Sequence, residues 1–379
     1  MKCFFSILMS ILLYSCTPTP TPSPVIPTEM DAQEMAAMMK HPKNVILMIG
    51  DGMGLTQITA GLYSNGNQLN LERFPVIGLH KSYCFNKLVT DSAAGATAFS
   101  TGHKTYYTAL GVGPDTMALT TILEEAEEHQ LATGLVTTST IVHATPAAFI
   151  AHVGYRGEYE KIAAFFLDTE IDLFIGGGKK YFDRRDDERD ILKELEAKGY
   201  QIGSYFDEEL SEMSIDTDKN LGYLTSDSDP LTFEQGRRYL EPASRLACNF
   251  LKEHNNNNGF FLMIEGAQID WGGHANNSDY IINEMLDFDK TIGAVLDFAI
   301  KDGNTLVIVT ADHETGGYAI NPGSTMDSLI TAFTTSQHTA ALIPVFAYGP
   351  GAEMFAGIYE NTEINVKMRK AFGFGEELE

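Results

Sequence analysis

The stretch Asn44-Val45-Ile46-Leu47-Met48-Ile49-Gly50-Asp51-Gly52-Met53-Gly54 decides the fold. From Val45 to Ile49 every side chain is apolar, the pattern of a parallel strand buried on both faces. The run stops in a glycine-rich turn that carries an acid, Asp51. Two later runs repeat the arrangement. Gly259 to Ile264 ends at Glu265, and Asn304 to Thr310 ends just before Asp312-His313. In open α/β sheets ligands bind beyond the carboxyl ends of the strands. One acid after a strand is an ordinary turn former; three such acids predict convergence on one place.

Further segments complete an α/β alternation. Gly134 to Thr138, Leu173 to Gly178 and Ile343 to Tyr348 read as strands. Thr120 to His129 and the amphipathic stretch Ser278 to Ile300 read as helices, and a helix begins at Asp91 or Ser92. The chain has 379 residues and is 44% hydrophobic, enough for a large core. One folded unit over 43–379 is expected, because the candidate residues run from Asp51 to His338. Between Asp183 and Pro230 the pattern weakens and acids dominate (Asp207, Glu208, Glu209, Glu212). This predicts a surface insertion over about 183–230, helical at Asp190 to Lys198, and Asn255 to Asn258 predicts a polar loop. The Gly176-Gly177-Gly178 run is a weak phosphate cradle, because no Lys-Ser/Thr pair follows it.

The formal net charge is -25, which excludes nucleic acid and anionic membrane as partners of a basic face. A phosphate ligand would be attracted only by local cations. Lys2 and the apolar stretch Phe4 to Tyr14 have signal-peptide form, too short to span a bilayer. Leu13-Tyr14-Ser15-Cys16 resembles a bacterial lipoprotein cleavage box. Residues 1–16 are therefore expected to direct export, with Cys16 carrying lipid in the periplasm or at the outer membrane. Residues 17–42 form a Pro/Thr-rich tether and N-terminal arm, with a short helix expected at Asp31 to Lys40. Of the four cysteines, Cys84 and Cys248 are expected as buried free thiols.

The run Asp91-Ser92-Ala93-Ala94-Gly95-Ala96-Thr97-Ala98 carries a serine with no adjacent histidine or lysine as a base. A serine hydroxyl is a weak nucleophile unless a base or a metal stabilises its alkoxide. Elsewhere Glu265, Asp270 and His274 fall within ten residues, and Asp312-His313 and His338 add further donors. Asp270 and His274 are four apart, so one helical turn would aim both at one ion. Mixed Asp/His donors suit zinc, and oxygen donors such as Glu265 with Thr145 suit magnesium. The remaining histidines (41, 80, 103, 129, 152 and 254) are read as ordinary structural residues.

Six blocks together resemble the alkaline phosphatase family: VILMIGDGMG, VTDSAAGATAFSTG, HATPAAFIAHVGYR, FFLMIEGAQIDWGGH, TLVIVTADHETGG and SQHTAALIPVFAYGP. They span roughly residues 43 to 353. The resemblance implies a three-layer sandwich around a central, mostly parallel sheet. It implies hydrolysis of phosphate monoesters through a phosphoserine, with two Zn2+ and one Mg2+. By matching position, Ser92 is the serine phosphorylated and Arg156 grips the phosphate. Asp270, His274 and His338 match the ligands of one zinc, and Asp51, Asp312 and His313 those of the second. Asp51 also bridges to magnesium, whose other ligands match Thr145 and Glu265. Asp91 orients Arg156. His143 stands where some members carry an acid near the magnesium, which predicts weaker magnesium binding or partial replacement by zinc, and Trp271 where some carry Lys or His. The family is commonly homodimeric.

The metal would dominate the serine's activation. A divalent ion lowers the pKa of bound water from about 15.7 to about 7, roughly 12 kcal/mol at 1.36 kcal/mol per unit. A helix N-terminus adds only about 0.3–1 kcal/mol. Two alternatives stay open at this level: a phosphodiesterase or other metal-dependent hydrolase of the same superfamily, and a non-catalytic, lipid-anchored metal or phosphate binder.

Overall fold

A computed structural model describes residues 41–254, 258–326 and 328–375. The expected signal segment, Cys16, most of the tether, the Asp31 to Lys40 helix and most of the 255–258 loop lie outside the described residues. The strands run in chain order as β1 (Asn44–Gly50), β2 (Val76–Lys81), β3 (Ala132–Thr140), β4 (Leu173–Gly177), β5 (Gln201–Ser204), β6 (Leu221–Leu224) and β7 (Phe260–Gly266). They continue as β8 (Thr305–Thr310), β9 (Glu314–Thr315), β10 (Tyr318–Ile320), β11 (Thr331–Phe333), β12 (His338–Thr339), β13 (Ile343–Tyr348) and β14 (Gly357–Glu360). Ten of them form one sheet in the order β14-β2-β13-β8-β1-β7-β3-β4-β6-β5. Only β13 runs against its neighbours, β2 and β8; the other pairings are parallel. The expected fold class, α/β around a mostly parallel sheet, is observed.

Strand β1 sits between β7 and β8, and all seven of its residues are buried. That central place is why its sequence is continuously apolar. Its side chains alternate between two cores. Val45, Leu47 and Ile49 pack on one face with Ala93 and Phe99 of α2 (Ser92–Thr101), Leu123 of α3 (Ile122–Glu128) and Met368 of a C-terminal helix, Thr362–Phe372. Ile46 and Met48 pack on the other with Ala60 of α1 (Leu55–Ser64), and with Ala247 and Leu296 of the helices Leu240–Glu253 and Ser278–Asp302. The sheet is thus the middle of three layers.

The predicted helices form close to their expected bounds. Thr121 caps α3 through a capping box with Glu124, which fixes its start. Cys84 and Cys248 are both buried and free, as expected. The 183–230 segment differs from a purely peripheral excursion. Its helix is present at Ile191–Ala197, but β5 and β6 pair in parallel with each other and, through β6, with β4, lengthening the sheet. Four-residue strands carry too little periodicity to announce themselves in a sequence rich in charge.

Candidate active site

The site lies past the carboxyl ends of β1, β7 and β8, and the parallel register puts their acids side by side. Ile49 of β1 pairs with Glu265 of β7 and with Thr310 of β8. Asp51 and Asp312 then follow two residues beyond, and all three acids are fully buried. The turn after β1 has to be tight. Gly52 takes φ 72, and a Cβ there would stand 2.7 Å from the Cα of Asp270, so only glycine fits. Its N–H donates to Asp312 Oδ1 at 3.2 Å.

Ser92 is the first residue of α2 and Asp91 is its N-cap, accepting from Ala94 N at 3.2 Å. The helix presses close to β8: a Cβ on Gly95 would come within 3.0 Å of Asp312 Cβ. This approach explains the small-residue run that follows the serine, and it leaves Ser92 Oγ 3.4 Å from His313 Nε2. The other oxygen of Asp91 accepts from Arg156 Nη1 at 3.1 Å. Arg156 Nη2 stands 3.3 Å from His143 Nε2.

Three groups of side chains bring their donor atoms within 4.8 Å of one another: Asp270, His274 and His338; Asp51, Asp312 and His313; Asp51, His143 and Glu265. The first group is assembled as the sequence predicted, since Asp270 and His274 share the short helix Gln268–His274. His338 arrives from β12, where it pairs with Thr315 of β9. His274 Nδ1 donates to Ser336 O at 2.7 Å, and His338 Nδ1 donates to Thr90 O at 2.8 Å. Both Nε2 atoms therefore turn inward, 3.1 Å apart. Two facing lone pairs repel unless a proton or a cation lies between them.

In the second group His313 Nε2 is 3.1 Å from Asp312 Oδ2 and 3.6 Å from Asp51 Oδ1. The third group amends the expectation of an oxygen-only set around Thr145 and Glu265. His143, read as a mere neighbour, offers a ring nitrogen there, while the buried Thr145 hydroxyl has no hydrogen-bond partner. Trp271 stands edge-on to His143, ring centroids 6.1 Å apart.

The electrostatics of these groups favour cations. Among the described residues, both carboxylate oxygens of Asp51, Oδ2 of Asp312 and Oε1 of Glu265 are buried without a hydrogen bond. Burial, then the charges of Asp312 and Asp270, push the Asp51 carboxyl well above its usual range. Burial and the Asp270 charge bring Asp312 to about 6, and burial brings Glu265 to about 7. Asp270 behaves oppositely. Burial opposes its ionisation, but contact with His274 and the charges of His313 and His338 hold it below the usual range. Its carboxylate in turn raises His274 to about 9. Burial and the Arg156 charge lower His143 to about 3, so its ring is neutral. Divalent cations would favour the ionised form of every one of these acids.

The candidate catalytic and metal-donor residues, with Asp91, His143 and Trp271, thus lie in this one region. Several supporting residues were not singled out. Thr137 and Ser139 of β3 donate to Glu265 Oε2, Ser139 from 3.3 Å, and Thr315 donates to Asp270 Oδ1. Glu314 accepts from Gln57 Nε2 at 2.7 Å, Tyr318 N at 3.1 Å, Gly317 N at 3.2 Å and Thr339 Oγ1, and so ties β9 to β12. A signal for the β3 pair was available: Thr137-Thr138-Ser139-Thr140 is a hydroxyl run continuing an apolar parallel strand, and all four are buried.

A family model described as "Alkaline phosphatase" matches residues 42–332. The chain belongs to the alkaline phosphatase family. It is 33% identical to "Alkaline phosphatase 3" of Bacillus subtilis (strain 168), over 88% of this chain and 89% of that protein. It is 46% identical to the alkaline phosphatase of the Antarctic bacterium TAB5, whose structure superposes with a TM-score of 0.84, covering 89% of this chain and 100% of that one. A histidine-to-aspartate variant of the TAB5 enzyme, with the same identity, TM-score and coverage, is described with Mg bound in the M3 site.

Proposed function

We propose that this chain hydrolyses phosphate monoesters to an alcohol and inorganic phosphate through a phosphoserine on Ser92. The observation that carries this reading is the convergence of three cation-sized groups, with orphaned buried carboxylates, beside Ser92 Oγ and Arg156. Asp270, His274 and His338 would hold one Zn2+, and Asp51, Asp312 and His313 a second; their mixed nitrogen and oxygen donors suit that ion. Asp51, Glu265 and Thr145, with His143 beside them, would hold Mg2+, more weakly than an all-oxygen set. Bound there, such cations neutralise the acids, polarise phosphoryl oxygens and lower the pKa of a hydroxyl or water.

The chain's own groups then have defined work. Ser92 Oγ gives up its proton to solvent and attacks phosphorus, the P–O bond to the leaving alkoxide breaks in line with it, and the alkoxide leaves as the alcohol by taking a proton from solvent. Arg156 holds two phosphoryl oxygens, its guanidinium aligned by Asp91 on one side. A water oxygen next attacks phosphorus, the bond to Ser92 breaks, one proton of the water ends on Ser92 Oγ, and inorganic phosphate leaves. Ser92→Ala is expected to lose most turnover while keeping its metal, and labelled monoester is expected to leave phosphate on Ser92 of the wild type. Near-wild-type turnover of a simple aryl phosphate by Ser92→Ala would defeat the covalent route.

The lysine-led apolar segment and the box at Cys16 support export as a lipoprotein to the periplasm or outer membrane, and family habit supports a homodimer. Lipid labelling of wild type but not of Cys16→Ser tests the anchor.

A further inference from the structure

Thr108 holds φ 76, a left-handed conformation that a β-branched residue rarely adopts. Such strain persists only where the surroundings fix it, and it gathers at functional sites. Thr116 shares the feature at φ 68 but lies in an exposed turn remote from this chemistry. At Thr108 the two peptide groups are both engaged. Its N–H donates to Asp91 Oδ1 at 3.2 Å, and its carbonyl accepts from Arg156 N at 2.8 Å. Asp91 closes the ring by accepting from the Arg156 guanidinium. Arg156 is thus tied at both ends, its backbone to Thr108 and its head to the acid that Thr108 also holds. The turn itself is pinned. Tyr107 N donates to Asn86 Oδ1 at 3.0 Å, and Leu110 exchanges hydrogen bonds of 2.9 and 3.0 Å with Val153. Rotating Thr108 to negative φ with its N–H fixed would swing the carbonyl off Arg156.

We propose that Thr108 is a positioning residue: its left-handed peptide couples Asp91 to the backbone of Arg156 and so sets the aim of the guanidinium at the phosphoryl group. The inference rests on the phosphomonoesterase reading and deepens it. The peptide geometry matters, not the threonine side chain. Glycine and asparagine accept positive φ, whereas proline cannot adopt it and has no N–H.

The test uses the full chain loaded with zinc and magnesium, an aryl phosphate as substrate and inorganic phosphate as competitive inhibitor. Thr108→Pro is expected to lower kcat/KM and to weaken phosphate inhibition about tenfold or more, with metal content unchanged. Adding Thr108→Pro to Arg156→Ala is expected to cost less than about threefold beyond Arg156→Ala alone, because both act through one guanidinium. Thr108→Gly and Thr108→Asn are expected to hold phosphate as tightly as the wild type and to melt at a higher temperature. A folded, metal-loaded Thr108→Pro with wild-type phosphate affinity overturns the proposal. Should the proline variant not fold, the other two still decide, because phosphate inhibition weakened more than about threefold in either would make the side chain, not the peptide, responsible. A wild type that neither turns over the ester nor binds phosphate overturns the underlying reading as well, and so is distinguishable from failure of the Thr108 role alone.

Discussion

Replacing Glu314 by alanine separates the support of the site from its chemistry. Its carboxylate is buried, 6% exposed, and takes four donors. In Glu314→Ala, Gln57 Nε2 keeps its second acceptor, Thr315 O at 2.8 Å, and the half-buried Thr339 hydroxyl rotates to water. The N–H groups of Gly317 and Tyr318 are left without a partner. Tyr318 is buried and Gly317 half-buried, so at about 1–3 kcal/mol for a fully buried orphaned donor and less for the other, the loss is about 3 kcal/mol. Unfolding entropy of about 2.1 cal/mol/K per residue over roughly 330 ordered residues makes that about 4 °C in Tm. A second consequence is local. Glu314 pairs with Thr339 and Thr315 with His338 across β9 and β12, so loosening this ladder loosens His338 beside Asp270 and His274. Removing support of this kind costs about 10–100-fold in metal affinity. Calorimetry with and without zinc, and zinc bound per chain after equilibrium dialysis, are the measurements. A Tm within 1 °C of wild type together with unchanged zinc affinity would refute the reasoning, since the orphaned donors would then have found partners elsewhere.

Chelation is expected to abolish turnover and lower Tm, and added zinc to restore both; full turnover by metal-stripped protein would remove the cation requirement. Glu127 tests the sign of a pH effect away from the site. Burial raises its carboxyl from 4.5 to about 7, so the fold favours the protonated form, and the penalty grows as pH rises from 4.5 and is complete above about 7. Glu127→Gln is therefore expected to stabilise by about 2 kcal/mol at pH 8, after allowing for the acceptor lost opposite Glu170 N, and to do nothing favourable at pH 4. Equal effects at the two pH values would contradict this.

The sheet and the three acids at its edge were legible because buried parallel strands impose an unmistakable composition. Val45 to Ile49, Phe260 to Ile264 and Leu306 to Val309 have no exposed face to alternate with, and the acid after each run breaks the pattern where ligands bind. The metal-donor spacing of Asp270 and His274 was legible for the same reason, one helical turn being a local fact. What stayed hidden depends on long-range approach. His143 was placed near the magnesium by the family resemblance alone; it reaches Asp51 and Glu265 because β1, β3 and β7 are neighbours, and no periodicity near residue 143 states that. The Glu314 network joins residues from 57 to 339, and the strain at Thr108 is set by partners at 91 and 156. The edge strands β5 and β6 were missed for a different reason, their shortness.

A net charge of -25 and a phosphate substrate look incompatible until the acids are sorted by environment. Most of the excess lies on the surface, where salt screens it within about 8–10 Å. The acids that face Ser92 are the buried ones, and their ionisation is opposed by burial and by one another. That opposition is not a defect to be tolerated. Carboxylates without hydrogen bonds are costly in a bare protein and favourable around a divalent ion, so the same burial that raises Asp51 and Asp312 selects for cations over protons once metal is available. Asp270 shows the converse, since its contacts with His274 and the neighbouring imidazoles keep it ionised without metal. The three groups should therefore differ in their response to acid. As pH falls, protons compete with cations for the raised carboxyls of Asp51 and Asp312, while Asp270 stays ionised and the proton that displaces metal from its group goes to the His274 ring. Because the His274 ring, raised to about 9, takes up its proton at higher pH than Asp312 at about 6, metal release on acidification should begin with the Asp270, His274 and His338 group, and the groups that share Asp51 should follow.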